Sequence, residues 1–274
     1  MKKFRFRNRF FPLSEKTYIM GIVNVTPDSF SDGGRYFSAE RAIAHAEKLV
    51  SEGADIIDLG AMSTRPGSEP VAVPEEIDRL KSVVEGLASC DCVISVDTVN
   101  PETADYFLGK GVDIINDVSG IFNNDMAGVV KKHSAGWIIT HTCNVPSGTV
   151  IDYPEGVISS VNHFFDDFLD KCQAFGIDKE YICLDPGFGF AKTTADNVVL
   201  LKNLENVVKP DVAFMTALSK KRFIGEVTGT ADTEERLVGT IIADLIAVSK
   251  GSDILRVHNV KETLQSIAIY NSIK

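Results

Sequence analysis

The sequence predicts an α/β protein of the (β/α)8 TIM-barrel class with a short N-terminal β-hairpin. Three observations carry this reading. Eight short apolar, β-branched runs alternate with eight amphipathic helical windows from Tyr18 onward, and such alternation implies parallel strands joined by crossover helices. The connections are short. Polar residues recur at the same end of successive apolar runs, which is where a barrel builds an active site. A doubly wound open sheet is the rival, but it usually needs fewer units and a glycine-rich first turn. Here the first turn, residues 26–34, is long and acidic.

Taken in order, the N-terminus alternates Lys3, Arg5, Arg7 and Arg9 with Phe4 and Phe6. A period of two predicts a half-exposed strand or hairpin, placed to plug the closed end of the barrel. The candidate strands are Ile19–Val23, Ile56–Leu59, Val93–Val96, Ile114–Ile115, Trp137–Ile139, Tyr181–Leu184, Val212–Met215 and Ile254–Val257. Between and after them lie the candidate helices Ala39–Ser51, Glu75–Leu87, Glu102–Leu108, Met126–Lys132, Val157–Ala174, Asp196–Leu204, Glu234–Val248 and Val260–Asn271. Ser38, Pro74, Pro101 and Thr194 supply helix-start chemistry. Gly53, Gly111 and Gly176 follow helices where a left-handed residue is wanted. No linker interrupts the pattern, so residues 1–274 are expected to form one domain.

Composition narrows the function. The 274 residues carry a formal charge of −10, which argues against broad nucleic-acid binding. No apolar stretch suits a membrane span and no signal-peptide pattern opens the chain. The 5 cysteines show neither disulfide-scaffold density nor paired zinc spacing, so a reducing cytoplasm is expected. Trp137 is expected to pack the barrel, and His45, His133 and His163 to lie at helix surfaces or boundaries.

The strand ends give Asn24, Asp58 with the loop Ser63–Thr64–Arg65, Asp97, Asn116, His141, Asp185, Lys221 and Arg256 with His258. A single Asp after a strand is commonly a cap or turn former. Several converging on one mouth carry a desolvation cost that a polar ligand would offset. Asp97, Asn116 and Asp185 suit a flat heterocycle bearing an amino group and a ring NH, since a carboxylate accepts two parallel hydrogen bonds from such an edge. Lys221, Arg256, His258, Arg65 and Ser63 suit phosphate, and barrels often bind phosphate after strands seven and eight. Asn24 and Asp32 are hard oxygen ligands, matching Mg2+ held partly by substrate.

Read together, the loop from Asn24 to Gly34, the run Ser63–Thr64–Arg65–Pro66–Gly67, Asp185–Lys192 and Arg256–His258 resemble the dihydropteroate synthase family along nearly the whole chain. The resemblance implies a transferase of folate biosynthesis that joins 6-hydroxymethyl-7,8-dihydropterin pyrophosphate to p-aminobenzoate. It implies a pterin pocket of Asp97, Asn116, Asp185 and Lys221, anion binding by Asn24, Arg256 and His258, and two mobile loops over the p-aminobenzoate site. Thr64, Pro66, Phe190 and Ser219 match positions near that second substrate, Ala217 matches the pterin floor, and a homodimer is expected. Four positions depart from the family pattern. Met62 stands for glutamate, Thr140 for methionine, Ala217 for glycine and Lys220 for arginine. Of these, Thr140 and Ala217 bear on the fit to the pterin. Two alternatives remain at this point: a methyltransferase acting on methyltetrahydrofolate, which shares the barrel and a related pocket, and a non-catalytic pterin-binding protein.

Overall fold

A computed structural model describes residues 2–25, 34–61, 71–142 and 149–273. The hairpin is β1 (Lys3–Phe6) paired antiparallel with β2 (Arg9–Pro12). The barrel strands are β3 (Tyr18–Asn24), β4 (Ile56–Gly60), β5 (Val93–Asp97), β6 (Ile114–Asp117), β7 (Gly136–Thr140), β8 (Ile182–Asp185), β9 (Ala213–Thr216) and β10 (Ile254–Val257). They close in sequence order, with β10 pairing back on β3, and every pair is parallel. Each predicted strand is present.

The helices are α1 (Gly34–Ser51), α2 (Val73–Gly86), α3 (Pro101–Gly109), α4 (Asn124–His133), α5 (Val157–Phe175), α6 (Thr194–Lys202), α7 (Arg222–Thr228), α8 (Leu237–Ser249) and α9 (Val260–Ser272). Three details differ from expectation. Because α1 begins at Gly34, Ser38 lies inside it and does not cap it. The N-cap of α6 is Thr193, not Thr194: its hydroxyl accepts from the Asp196 backbone while the Asp196 carboxylate accepts from the Thr193 backbone, the reciprocal capping box. The short α7 was not foreseen, since seven residues are too few for a periodic signal. Gly176 closes α5 in the left-handed conformation at φ +80°, as its position predicts.

Two cores follow from strand alternation. Residues facing outward, such as Ile57, Leu59, Val96, Ile139 and Leu184, pack against the helices. Residues facing inward at the N-terminal end form a second cluster of Met20, Ile56, Val93, Ile114, Ile138, Cys183, Ala213, Met215 and Ile254. Phe4 and Phe6 of the hairpin join this inner cluster, so the hairpin plugs the closed end. Arg9 pairs with Asp113 at 2.7 Å, and Arg7 donates to the Val112 carbonyl at 2.8 Å, tying the plug to the base of the barrel. Trp137 is fully buried beside Phe122 and Phe168 and donates to Asp117 at 3.3 Å. It packs between barrel and helices, as expected.

Candidate active site

Strand period fixes which side chains reach the mouth. Alternate residues share a face, so two positions beyond the inner cluster the barrel turns Asp58, Ser95, Asn116, Thr140, Asp185 and Arg256 inward. Asn24, Gly60 and Asp97 follow two positions later on the first three barrel strands. Polar groups therefore replace apolar ones abruptly as the strands reach their C-terminal ends.

Asp58 is the hub of the inner layer. It is fully buried. Its Oδ1 accepts from Ser95 Oγ at 2.6 Å, and its Oδ2 accepts from Asn116 Nδ2 at 3.0 Å and Arg256 Nε at 2.7 Å. Arg256 also donates through Nη2 to Asp97 at 3.0 Å. This guanidinium thus bridges two carboxylates. Asn116 gives an amide hydrogen to Asp58, and its oxygen is buried and has no partner. Thr140 Oγ1 is likewise buried without a partner. An unmatched buried polar atom costs free energy that a ligand's hydrogen bond recovers.

The titratable groups respond to burial. Desolvation pushes Asp97 up to about 7, with Arg256 opposing and Asp58 adding to the rise. Burial also raises Asp185, against its hydrogen bond from the Gly187 backbone and the charge of Lys221. Lys221 is pushed down to about 8 by desolvation, with Asp185 partly restoring it. His258 is lowered to about 4 by burial and then by Arg256, Lys220 and Lys221. The ring is neutral at physiological pH and its Nδ1 lies 2.9 Å from Ser219 Oγ.

Lys221, Ser219 and Phe190 come together beside this layer. Lys221 Nζ lies 4.5 Å from the Phe190 ring centroid. The preceding Lys220 has φ +58°, a conformation that non-glycine residues adopt rarely and mostly where surrounding structure enforces it. Two contacts from the α8 region hold it there. Its backbone N–H donates to Thr240 at 3.0 Å, and its carbonyl accepts from Arg236 at 3.1 Å. Ala217 is buried at the end of β9.

Asn24 ends β3 with its side chain exposed at the mouth. A Cβ on Gly60 would lie 3.8 Å from Asn24 Oδ1 and 3.7 Å from Asp97 Cβ, at ordinary contact distance, so Gly60 sits between the two residues. Asp32, Met62, Ser63, Thr64, Arg65 and Pro66 lie outside the described residues, as does Cys143. Ser95 was not named by the sequence reading, while Asp58, named at its strand end, and Thr140, named for its bearing on the pterin fit, were given no hydrogen-bonding partners. The available signal was an acidic or hydroxyl residue in phase with inward-facing apolar ones, as Asp58 is with Ile56.

A barrel whose mouth sets acceptors in its inner layer and cations around it defines an enzyme for an amino-bearing heterocycle with an anionic group. Comparison with known proteins agrees. The family model for pterin binding enzymes matches residues 20–258. A dihydropteroate synthase of Synechocystis sp. is 38% identical over 267 residues, covering 96% of this chain and 92% of that protein. The structure of Xanthomonas albilineans dihydropteroate synthase with 4-aminobenzoic acid matches at TM-score 0.90 and 37% identity, covering 98% of this chain and 97% of that one. The same enzyme in complex with 7,8-dihydropteroate matches at TM-score 0.86 and 32% identity, with 98% of each chain covered. The chain belongs to the pterin-binding enzymes and, among them, to the dihydropteroate synthase family.

Proposed function

We propose that the protein condenses 6-hydroxymethyl-7,8-dihydropterin pyrophosphate with p-aminobenzoate, releasing pyrophosphate and forming 7,8-dihydropteroate. The observation that carries this reading is the polar order of the mouth. Asp97, Asp185 and the unpartnered oxygen of Asn116 offer acceptors, while Lys221 follows β9 and Arg256 projects from β10. An amino-heterocycle with a pyrophosphate tail matches both.

In this reading Asp185 and Asn116 accept from the ring edge, and Asp97 does so once ionised. Breaking the bond between the exocyclic carbon and oxygen sends the electron pair away with pyrophosphate. Lys221 and Arg256 stabilise that departing charge, while the carboxylates favour positive charge spreading into the ring. The aniline nitrogen then attacks the carbon and releases a proton. No covalent enzyme intermediate is needed. Phe190, Ser219, Thr64 and Pro66 are assigned to the p-aminobenzoate side and Arg65 to the pyrophosphate, with Ala217 on the pterin floor and His258 donating toward the pyrophosphate as a neutral ring.

Mg2+ fits the donor set as a substrate-borne ion. Among the described residues no group of three or more His, Cys, Asp or Glu side chains is arranged to hold a metal, and Asn24 offers one hard oxygen at the mouth. Asn24 and Asp32 would hold the ion with phosphate oxygens supplying the rest, and it would withdraw charge from the leaving group. A homodimer is supported by α8, whose Val238, Ile242 and Ile246 stand exposed four residues apart, a single apolar stripe on one helix face. A second copy would cover it, giving twice the chain mass in sedimentation equilibrium. A cytoplasmic location agrees with four free described cysteines, and no helix among the described residues is long and apolar enough to cross a membrane. Incubation with both substrates and Mg2+, followed by mass spectrometry for 7,8-dihydropteroate, tests the function. Absence of product with folded protein would refute it.

A further inference from the structure

The turn after β8 contains a buried cation whose described partners are backbone carbonyls and one ring nitrogen. Lys192 is 3% exposed. Its Nζ lies 2.9 Å from His141 Nδ1, 3.2 Å from the His141 carbonyl oxygen, 3.0 Å from the Gly187 carbonyl and 3.3 Å from the Phe190 carbonyl. The charge of Lys192 lowers both His141 and Asp185, and as an ammonium it can only donate, so the ring nitrogen accepts. The His141 proton then sits on Nε2, which lies 3.3 Å from Ser160 Oγ. Burial, and next the charge of Lys192, push His141 down to about 3, which keeps Nδ1 an acceptor at physiological pH.

The backbone around Lys192 is shaped for this contact. Ala191 has φ +51°, the left-handed region that alanine seldom occupies, and Lys192 follows it directly. Gly187 has φ +69°, and a Cβ there would collide with the His141 carbonyl oxygen. The turn therefore lies backbone on backbone against the end of β7, and the ammonium pins carbonyls from both segments. Functional side chains hang from the two ends of the same turn. Asp185 Oδ1 accepts from the Gly187 N–H at 2.8 Å, and the Phe190 ring lies beside Lys221.

We propose that Lys192 is a positioning residue that sets the Asp185 acceptor and the Phe190 ring together, through the carbonyls of Gly187, Phe190 and His141. It thereby links the pterin and p-aminobenzoate sites without touching either substrate. The inference rests on the proposed function above.

The test uses Lys192→Met, which keeps the aliphatic stem, beside Ala191→Gly, which keeps the ammonium and relaxes the backbone. Steady-state kinetics are taken at a temperature where circular dichroism shows each variant folded. Lys192→Met is expected to raise KM for p-aminobenzoate and to lower kcat/KM for the dihydropterin substrate, each by about tenfold or more, the scale of a small misplacement of reacting groups. Ala191→Gly is expected to keep wild-type kinetics. A folded Lys192→Met protein with wild-type KM for both substrates and only a lower melting temperature would reduce Lys192 to a structural residue and overturn the proposal. Should Lys192→Met not fold, nitrogen NMR of His141 in the wild-type protein decides. A ring protonated on Nε2 and untitrated down to pH 5 supports the clamp, and a ring titrating near its ordinary value overturns it. Wild-type protein that forms no dihydropteroate would instead refute the function, while the NMR measurement still tests the clamp.

Discussion

Replacing Asp185 with asparagine changes little in shape and much in chemistry. One carboxylate oxygen, Oδ1, accepts from the Gly187 N–H at 2.8 Å. The variant must keep its amide oxygen there, because an NH2 would set donor against donor. The NH2 is then turned to the mouth, on the side of Lys221, where the ring donors of a pterin arrive. The wild type offers a carboxylate-type acceptor at that point, and the variant offers a second donor. Losing a charge-assisted hydrogen bond costs roughly 1.5–3 kcal/mol, and leaving a buried donor unmet costs about 1–3 kcal/mol. A combined loss of about 3–4 kcal/mol corresponds to roughly two to three powers of ten in affinity. The fold should barely respond, since the bond to Gly187 survives and a buried charge is removed. Calorimetric titration with the dihydropterin substrate reads the affinity, and thermal denaturation controls for stability. Pterin affinity within about twofold of wild type, a small part of that cost, would show that Asp185 does not face the ring edge.

The pH profile of kcat/KM for the dihydropterin should be bell-shaped, falling below about 7 as Asp97 protonates and above about 8 as Lys221 loses its charge; a rate flat from pH 5 to 9 would contradict both roles. Thr140→Val removes the unpartnered hydroxyl and should weaken pterin binding about tenfold without lowering the melting temperature, the size of one ordinary hydrogen bond; unchanged affinity would place the hydroxyl away from the ligand. Asp244, on α8, is fully buried with both oxygens unpartnered, and burial raises it well above its ordinary value. The folded state therefore holds a proton that the unfolded state has released, so its contribution is most favourable below about pH 4 and declines as pH rises. Asp244→Asn should stabilise the protein at pH 7 by roughly 1–3 kcal/mol and flatten that decline, and a lower melting temperature would refute this. Asn24→Ala and Asp32→Ala should each slow turnover at limiting Mg2+ while leaving binding of a pterin without pyrophosphate intact; wild-type turnover would make the metal assignment wrong.

The barrel was legible because its evidence is local. Runs such as Ile56–Leu59 and Ile254–Val257 declare strands by β-branching, and Gly176 or Pro101 punctuate helices. Asp97, Asn116, Asp185 and Arg256 were legible because each occupies the C-terminal end of such a run. What the sequence concealed depends on contacts between distant positions. Arg256 meets Asp58 across 198 residues, and Lys192 meets His141 across 51. No periodicity announces either pairing. Nor does residue type disclose that His258 is neutral, since burial and neighbouring cations set that. Lys220 and Ala191 were opaque for a further reason: neither residue type signals a left-handed backbone, and both conformations come from the tertiary structure around them.

The most direct test of the account is pyrophosphate release from 6-hydroxymethyl-7,8-dihydropterin pyrophosphate, measured with and without p-aminobenzoate. The account predicts release that depends on p-aminobenzoate and matches dihydropteroate formed mole for mole. A methyltransferase or a non-catalytic pterin binder would give none. Release that proceeds equally without p-aminobenzoate, or binding of the pterin with no release at all, would contradict the account.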